Sequence, residues 1–187
     1  MRQQVPIQVI RRRRLLGLII LAAIIWGIWA GISAVVGLFT GGNHKAPAKI
    51  EACAAGVVSV NAYAGDGVKH QDTFDAATRP YIWFSLINNG KVSCTFNAGP
   101  AVQFFRIKSG AQIIWSSEQC DRTGLTNQDI VLKPGQPQTS PPSQWFRVYS
   151  SNTGCGVGQA PALPGAYSLV AEVNKVQSTN FEQFALK

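Results

Sequence analysis

The sequence predicts one membrane-spanning helix followed by an all-β domain, an antiparallel β-sandwich of seven to eight strands. Residues 15–39 form an uncharged, apolar run that directly follows four arginines. Beyond residue 52, short β-branched and aromatic runs alternate with turn residues, and no long stretch has helical periodicity. The expected boundaries are a basic cytoplasmic N-terminus over 1–14, a transmembrane signal-anchor helix over 15–39, a flexible tether over 40–52 and the sandwich over 53–187.

The apolar run is long enough to be a membrane anchor. As a helix it would rise about 37 Å, more than the roughly 30 Å of a hydrocarbon core. A cleavable signal peptide has a shorter apolar region, and the small-x-small sequence at residues 46–48 lies well beyond the run. By the positive-inside rule, the preceding basic residues keep the N-terminus in the cytoplasm; they are Arg11, Arg12, Arg13 and Arg14. We therefore expect a single-pass protein of the cell membrane whose C-terminal domain is extracytoplasmic.

Small residues recur at helical spacing inside this run. Ala23, Gly27 and Gly31 share one helix face, and Gly27 to Gly31 forms a GxxxG motif. In lipid, such a face lets a second helix approach closely, because packing rather than the hydrophobic effect drives association. The anchor is therefore expected to contact the lipid bilayer and a protein partner, either a second copy or a different protein.

The net charge of +8 is concentrated at the N-terminus. Arg2 and the four arginines supply +5, which leaves +3 for everything downstream. Because the basic excess flanks the membrane anchor, no nucleic-acid partner is predicted. No Gly-rich loop precedes a helix, so nucleotide binding is not expected either.

Residues typical of catalytic or metal sites are sparse. The two histidines are His44, in the tether, and His70, in a polar stretch. Neither has the spacing of a catalytic triad or of a zinc site. Asp66, Asp72 and Asp75 lie near His70 in sequence, but they lack the glycine and glutamate placement of a calcium loop. The sequence therefore predicts a protein that is not an enzyme and that holds no cofactor or metal.

Apolar runs that end at turn residues predict the strands of the sandwich. The clearest covers residues 81–87, is β-branched and aromatic, and stops at Asn88-Asn89-Gly90. Ser109-Gly110 separates two other runs by the spacing of a tight hairpin. Regular short strands with turns between them are typical of an immunoglobulin-like sandwich. The remaining expected strands are 57–63, 102–108, 112–116, 129–132, 144–149, 166–173 and 181–186.

Four cysteines, Cys53, Cys94, Cys120 and Cys155, fall in the predicted sandwich. None forms a CxxC pair, and an even number in an extracytoplasmic domain indicates disulfides. Three pairings are possible. We favour Cys53 with Cys94, since one precedes the first strand and the other follows the second, and antiparallel neighbours bring those ends together. Cys120 then pairs with Cys155 by exclusion.

The aromatic residues of the domain are expected to fill a core rather than form a carbohydrate platform; they are Trp83, Trp115, Trp145, Phe104, Phe105 and Tyr167. Contact surfaces are expected on three long polar or Gly-rich loops, residues 65–79, 118–128 and 150–164. Residues 136–142 (QPQTSPP) are stiff and extended, which suits a sheet edge or a docking strip.

Several motifs carry a resemblance to known families. They are Leu86-Ile87-Asn88-Asn89-Gly90 before Cys94, Ile114-Trp115-Ser116-Ser117 before Cys120, Leu132-Lys133-Pro134-Gly135, Trp145, Cys155 and Pro164-Gly165-Ala166-Tyr167. Over residues 80–173 the chain resembles exported, membrane-anchored single-domain proteins of actinobacteria. Its Trp-Ser, Leu-x-Pro-Gly and Pro-Gly-x-Tyr elements are also similar to the immunoglobulin-like Bacillus intracellular proteinase inhibitors. That family is cytoplasmic, and the anchor and cysteines depart from it, so this resemblance implies a fold and no reactive-site residue.

Together these features predict a single-pass membrane-anchored binding or accessory protein, a non-catalytic subunit of a larger cell-envelope assembly. It would reach its protein partner through the helix and the sandwich loops. The alternative is an exported regulator or inhibitor of a peptidase or wall enzyme, which follows from fold analogy alone.

Gly27→Leu or Gly31→Leu is expected to weaken assembly of the full-length protein while the sandwich stays folded, because each adds a bulky side chain to the packing face. Size analysis after gentle detergent extraction measures assembly. Normal assembly of both variants would show that the segment is only a tether.

Overall fold

The computed structural model describes residues 49–187, which form one compact unit that is almost entirely β. Within these residues no helix is long and apolar enough to cross a membrane. The features predicted nearer the N-terminus lie outside the described residues; they are the four arginines, the spanning segment 15–39, the helix face of Ala23, Gly27 and Gly31, and His44.

The described part of the chain contains twelve strands, of which four are only two residues long. In order they are β1 (Val58–Gly65), β2 (Thr73–Phe74), β3 (Tyr81–Asn88), β4 (Cys94–Asn97), β5 (Gln103–Ser109), β6 (Gln112–Ser116), β7 (Asp129–Leu132), β8 (Gln138–Thr139), β9 (Ser143–Gln144), β10 (Gly165–Val173), β11 (Val176–Gln177) and β12 (Glu182–Leu186). Single 3₁₀ turns cover Pro100–Val102 and Ser117–Gln119.

The strands form three sheets. The small sheet has the order β1-β3-β8, with β9 also paired to β3. The large sheet has the order β2-β12-β10-β5-β6, with β11 paired to β10, while β4 and β7 form a separate pair. Every named pair is antiparallel except β12 with β2. The predicted all-β, antiparallel character of this region is thus confirmed.

The small and large sheets bury one face each in a common core. On β1, Val60 and Ala62 are fully buried, whereas Asn61 between them is partly exposed. On β10, Leu169, Ala171 and Val173 are fully buried as well. β1 packs against β10, β11 and β12, and side chains from both sheets join one hydrophobic cluster. Removing these alternate side chains from water is the main source of stability for such sheets.

The side chain of Asn180 closes the outer edge of β1. Its Oδ1 accepts a hydrogen bond from the Ala62 backbone N–H at 2.8 Å, and its Nδ2 donates to the Ala62 carbonyl oxygen at 2.8 Å. The backbone N–H of Thr179 also donates to the Val60 carbonyl at 2.8 Å. The segment between β11 and β12 thereby satisfies polar groups that an edge strand would otherwise expose.

Asn88, at the end of β3, is a fully buried polar residue that connects three segments. Its Nδ2 donates to the carbonyl oxygens of Val92 at 2.9 Å and Leu132 at 3.0 Å, and its Oδ1 accepts from the Gly90 N–H at 2.8 Å. Its own carbonyl oxygen accepts from the Gly135 N–H at 2.9 Å. Because Leu132 ends β7, these bonds hold the β4–β7 pair against the end of β3.

The structure joins Cys53 to Cys94 and Cys120 to Cys155, the two pairs favoured from the sequence. The first pair follows from the antiparallel register of β1 and β3. This register places the start of β1, which follows Cys53, beside the end of β3, which precedes Cys94.

The last residues of the predicted tether belong to the fold. The Thr95 N–H donates to the Glu51 carbonyl oxygen at 2.8 Å, and the Cys53 N–H donates to the Thr95 carbonyl oxygen at 2.9 Å. These bonds, together with the disulfide of Cys53, fasten the entering chain to β4.

Seven of the eight predicted strands have counterparts whose ends differ by at most two residues. The strand predicted over 144–149 is wrong beyond Gln144. There Arg147 has a φ of 57°, and its guanidinium donates to the carbonyl oxygens of Thr78 at 3.2 Å and Lys187 at 3.0 Å. A left-handed residue leaves the pleated path, so the strand cannot continue. The predicted number of seven to eight strands is too low, because β4 and the two-residue strands were not foreseen.

Asn88→Ala is expected to lower the free energy of unfolding by about 2 to 3 kcal/mol, because the buried carbonyl oxygen of Leu132 and the part-buried carbonyl oxygen of Val92 both lose a donor. Asn89→Ala is the matched control: Asn89 is exposed, and its Nδ2 donates to the Ser59 hydroxyl at 2.7 Å. This control is expected to cost less than about 1 kcal/mol. Urea denaturation of residues 49–187, followed by tryptophan fluorescence, measures both. Equal losses would show that Asn88 does not anchor the β4–β7 pair.

Candidate binding cleft

A cleft of about 420 Å³ opens where the small sheet, the β4–β7 pair and β5 meet. Its volume falls in the range of ligand pockets, roughly 300–1,000 Å³. The apolar lining consists of Phe84, Leu86, Ala98, Pro100, Ile130 and Pro141. The polar lining consists of Gln103, Gln128, Gln138, Thr139, Ser140 and Ser143.

Hydrogen bonds pre-form the walls of the cleft. The Ser140 N–H donates to the Phe84 carbonyl oxygen at 2.9 Å, and the Ser140 hydroxyl accepts from the Phe84 N–H at 3.1 Å. On the opposite wall, Gln103 Nε2 donates to the Ala98 carbonyl oxygen at 2.6 Å. The cleft therefore needs little ordering before a ligand enters.

None of the lining side chains is charged. Placing an ion in such a site without a counter-charge would cost free energy, because the ion would lose hydration and gain no partner. Carbonyl, amide and hydroxyl groups beside apolar surface instead suit an uncharged ligand that has both polar and apolar parts.

The strip predicted as an edge or a docking strip forms one wall of the cleft. Within it, Gln138 pairs opposite Leu86 and Thr139 opposite Ser85, at the edge of the small sheet. Its three prolines, Pro137, Pro141 and Pro142, have no backbone N–H to donate. Such an edge resists the addition of another strand, so we expect a ligand to enter the cleft rather than extend the sheet.

A second cavity of about 510 Å³ lies beside the disulfide of Cys53 and Cys94. Residues 52–56, 95–97 and 174–176 line it, together with Val58 and Asp129. It contains both a carboxylate, on Asp129, and an ammonium, on Lys175, which makes it chemically unlike the first cleft. It lies where the chain enters the compact unit.

The acidic stretch around His70 does not assemble into a site. His70 Nε2 bonds the carboxylate of Glu182. Asp66 accepts hydrogen bonds from the backbone N–H groups of Lys69 at 2.7 Å and Val68 at 2.8 Å, which lower the pKa of its carboxyl. Among residues 49–187, no three His, Cys, Asp or Glu side chains are grouped to hold a metal ion.

The aromatic residues divide between core and surface. The buried ones are Trp145, Trp115, Phe105 and Tyr167. For Trp83 and Phe104 the predicted core position is wrong: both are partly exposed, because they alternate with inward-facing residues on β3 and β5. The Phe104 ring lies under the guanidinium of Arg122, 4.4 Å from its centroid. The Trp83 ring lies beside Tyr63.

No family model matches the chain, and no curated protein matches it either. Among solved structures, it is similar to a β-glucosidase from Erythrobacter marinus, with 14% identity, a TM-score of 0.38, and 70% of this chain and 15% of that chain covered. An alkylpurine DNA glycosylase from Pseudomonas fluorescens has 13% identity and a TM-score of 0.40, with 72% and 31% covered. A mutant β-glucosidase from Listeria innocua has 6% identity and a TM-score of 0.38, with 70% and 16% covered. The chain spans less than a third of each of these proteins, and similarity this low carries no argument about function.

Ser140→Ala is expected to loosen the rim of the cleft, because the Phe84 N–H loses its acceptor. We expect a loss of about 1 kcal/mol in the free energy of unfolding and faster hydrogen exchange at the Phe84 amide. Ser143→Ala is the matched control, since this exposed serine lines the same cleft and begins β9, directly after the strip. Amide hydrogen exchange measured by NMR distinguishes the two variants. Unchanged protection of the Phe84 amide in Ser140→Ala would show that the Ser140 hydroxyl does not hold the rim of the cleft.

Proposed function

We propose that this chain is an extracytoplasmic binding or accessory protein, a non-catalytic subunit of a membrane assembly in the cell envelope. In this proposal the helix over 15–39 anchors it in the bilayer, with the N-terminus in the cytoplasm. Two disulfides support the compartment, because such bonds persist where the surroundings are oxidising. The uncharged cleft is the observation that supports the binding role.

The cleft is suited to a segment of a partner protein. Apolar side chains of that segment would reach the surface formed by Ile130 and Pro141, while its backbone amides would meet the glutamine and serine side chains of the lining. The walls are held by hydrogen bonds to Phe84 and Ala98, so binding would order few protein groups. Burial of apolar surface in a pre-formed cleft is the usual basis of such recognition.

The finer fold assignment belongs to the same proposal. Two sheets that bury one face each in a shared core, with a predominantly antiparallel order, support an immunoglobulin-like sandwich. The motifs that resemble actinobacterial exported proteins and the Bacillus inhibitors are consistent with this assignment. Domains of this architecture commonly serve as binding modules, which is a fold analogy and no more.

One observation favours a second candidate, a regulator that blocks an exported peptidase or wall enzyme. The strip over 136–142 is largely exposed, yet its pairing with β3 and its three prolines hold its conformation. A pre-ordered exposed segment can occupy another protein's groove at little entropic cost. Residues 49–187 that leave a panel of secreted peptidases fully active would exclude peptidase inhibition.

Gln138→Arg should reduce partner binding at least tenfold, because it brings an unpaired charge to the uncharged cleft. Gln136→Arg is the matched control, since Gln136 belongs to the same strip and does not line the cleft. Full-length protein is extracted with mild detergent, and co-purifying proteins are quantified by mass spectrometry. A monomer without any co-purifying protein, or equal recovery with both variants, would contradict the proposal.

A further inference from the structure

Aromatic rings occupy the face of the small sheet that points away from the core. Tyr63 of β1 lies directly opposite Trp83 of β3, and their rings are nearly parallel, at an interplanar angle of 18° and a centroid distance of 5.9 Å. Tyr81 follows on the same face of β3, opposite Gly65. All three rings are partly exposed and none belongs to the hydrophobic core cluster. The fold therefore does not use these rings to fill its interior.

Two glycines let the backbone approach these rings. A Cβ on Gly65 would lie 2.7 Å from the Trp83 ring and 1.9 Å from the Lys69 carbonyl oxygen. Gly67 has a φ of 97°, and a Cβ there would lie 3.3 Å from the Tyr81 ring. The loop after β1 thus packs against one end of the aromatic row and restricts the rings to fixed positions.

The rest of this face, on β1 and β3, is uncharged. Outside the aromatic row, β1 and β3 present Asn61 opposite Ser85 and Ser59 opposite Ile87. Ser85 is buried, and its hydroxyl donates to the Tyr63 hydroxyl at 3.5 Å. The edge strand β9 extends the face, with Gln144 opposite Tyr81. The side-chain amides of Asn61 and Gln144 therefore border the rings on two sides, and an amide group both donates and accepts hydrogen bonds.

The outer face of the large sheet is different. There Arg106 of β5 makes ion pairs with Glu118 at 2.8 Å and Glu172 at 2.9 Å. The hydrogen bond from Arg106 lowers the pKa of the Glu118 carboxyl, and Lys108 lies on the same face. The two outer faces of one domain thus differ in chemistry, so the uncharged aromatic face is not a general property of its surface.

We propose that the outer face of the small sheet, formed around Tyr63, Tyr81 and Trp83, binds a neutral saccharide. The C–H face of a pyranose ring is apolar and packs on an aromatic ring, while its hydroxyls bond the amides at the border. The lack of charge on this sheet face matches a neutral sugar better than an anionic polymer or an ionic protein surface. The saccharide face lies on the opposite side of β3 from the cleft, so this proposal stands apart from the proposed function.

The test uses full-length protein in detergent micelles, titrated with three neutral oligosaccharides: cellohexaose, hexa-N-acetylchitohexaose and mannohexaose. NMR shifts of the tryptophan indole N–H groups and isothermal titration report binding. We expect one of the sugars to shift the Trp83 indole and to bind with millimolar or better affinity. Trp83→Ala should weaken that binding at least tenfold, and Tyr63→Ala several-fold.

Three control variants separate this result from others. Phe104→Ala removes a partly exposed aromatic residue from the opposite outer face and should change the affinity by less than about twofold. Gln138→Arg, which alters the cleft, should leave sugar binding unchanged. Trp83→Phe keeps an aromatic ring and should retain more sugar binding than Trp83→Ala. This comparison distinguishes the loss of the ring from a loss of folding. The absence of binding to all three sugars, or equal binding by Trp83→Ala, would overturn the proposal. Loss of a co-purifying protein in Trp83→Ala without any sugar binding would assign the face to a protein instead.

Discussion

The position of the β4–β7 pair, and of the cleft beside it, depends on a buried amide, the side chain of Asn88. Both of its Nδ2 hydrogens and its Oδ1 are hydrogen-bonded. Because an unbonded polar group would be costly to bury, the segments that supply these partners are held in one arrangement. β3 is the central strand of the small sheet, with partners on both sides. By holding Leu132 at its end, Asn88 sets the β4–β7 pair relative to this strand. The cleft follows from that placement, since Ile130 of β7 lines it together with Phe84 and Leu86 of β3.

The local sequence pattern predicted most strands, because the alternation of apolar and polar residues and the turn residues that end each strand can be recognised within a few positions of the chain. The run over 112–116 and the run over 129–132 were predicted with the observed boundaries. The strand over 144–149 failed because Arg147 bonds carbonyl groups about 40 and 69 residues away in the chain, which a local pattern cannot reveal. β4 was missed because four residues after a turn give too short an alternation to recognise.

The cleft and the aromatic face differ in how much the sequence revealed. The Pro-rich strip was a usable signal, since prolines at an edge are visible in the sequence. Gln103 and Gln128 gave no signal, because only the tertiary fold brings them to the strip. Trp83 was expected in the core because both faces of its strand carry apolar side chains, with Trp83 on one face and Phe84 on the other. Alternation of apolar and polar residues cannot identify the buried face of a strand when the solvent-exposed face also carries aromatic side chains.

The disulfide between Cys53 and Cys94 also has a mechanical consequence. The loop that it closes contains β1, β2 and β3, so tension applied to the chain ahead of Cys53 passes through the sulfur–sulfur bond directly into β4. The pulling force therefore bypasses the β1–β3 ladder, which cannot be unzipped from its N-terminal end. The first contacts to bear load are the hydrogen bond of Glu51 to Thr95 and then the short β4–β7 pair. β1 and β3, which carry the aromatic face, lie inside the closed loop and outside the force path.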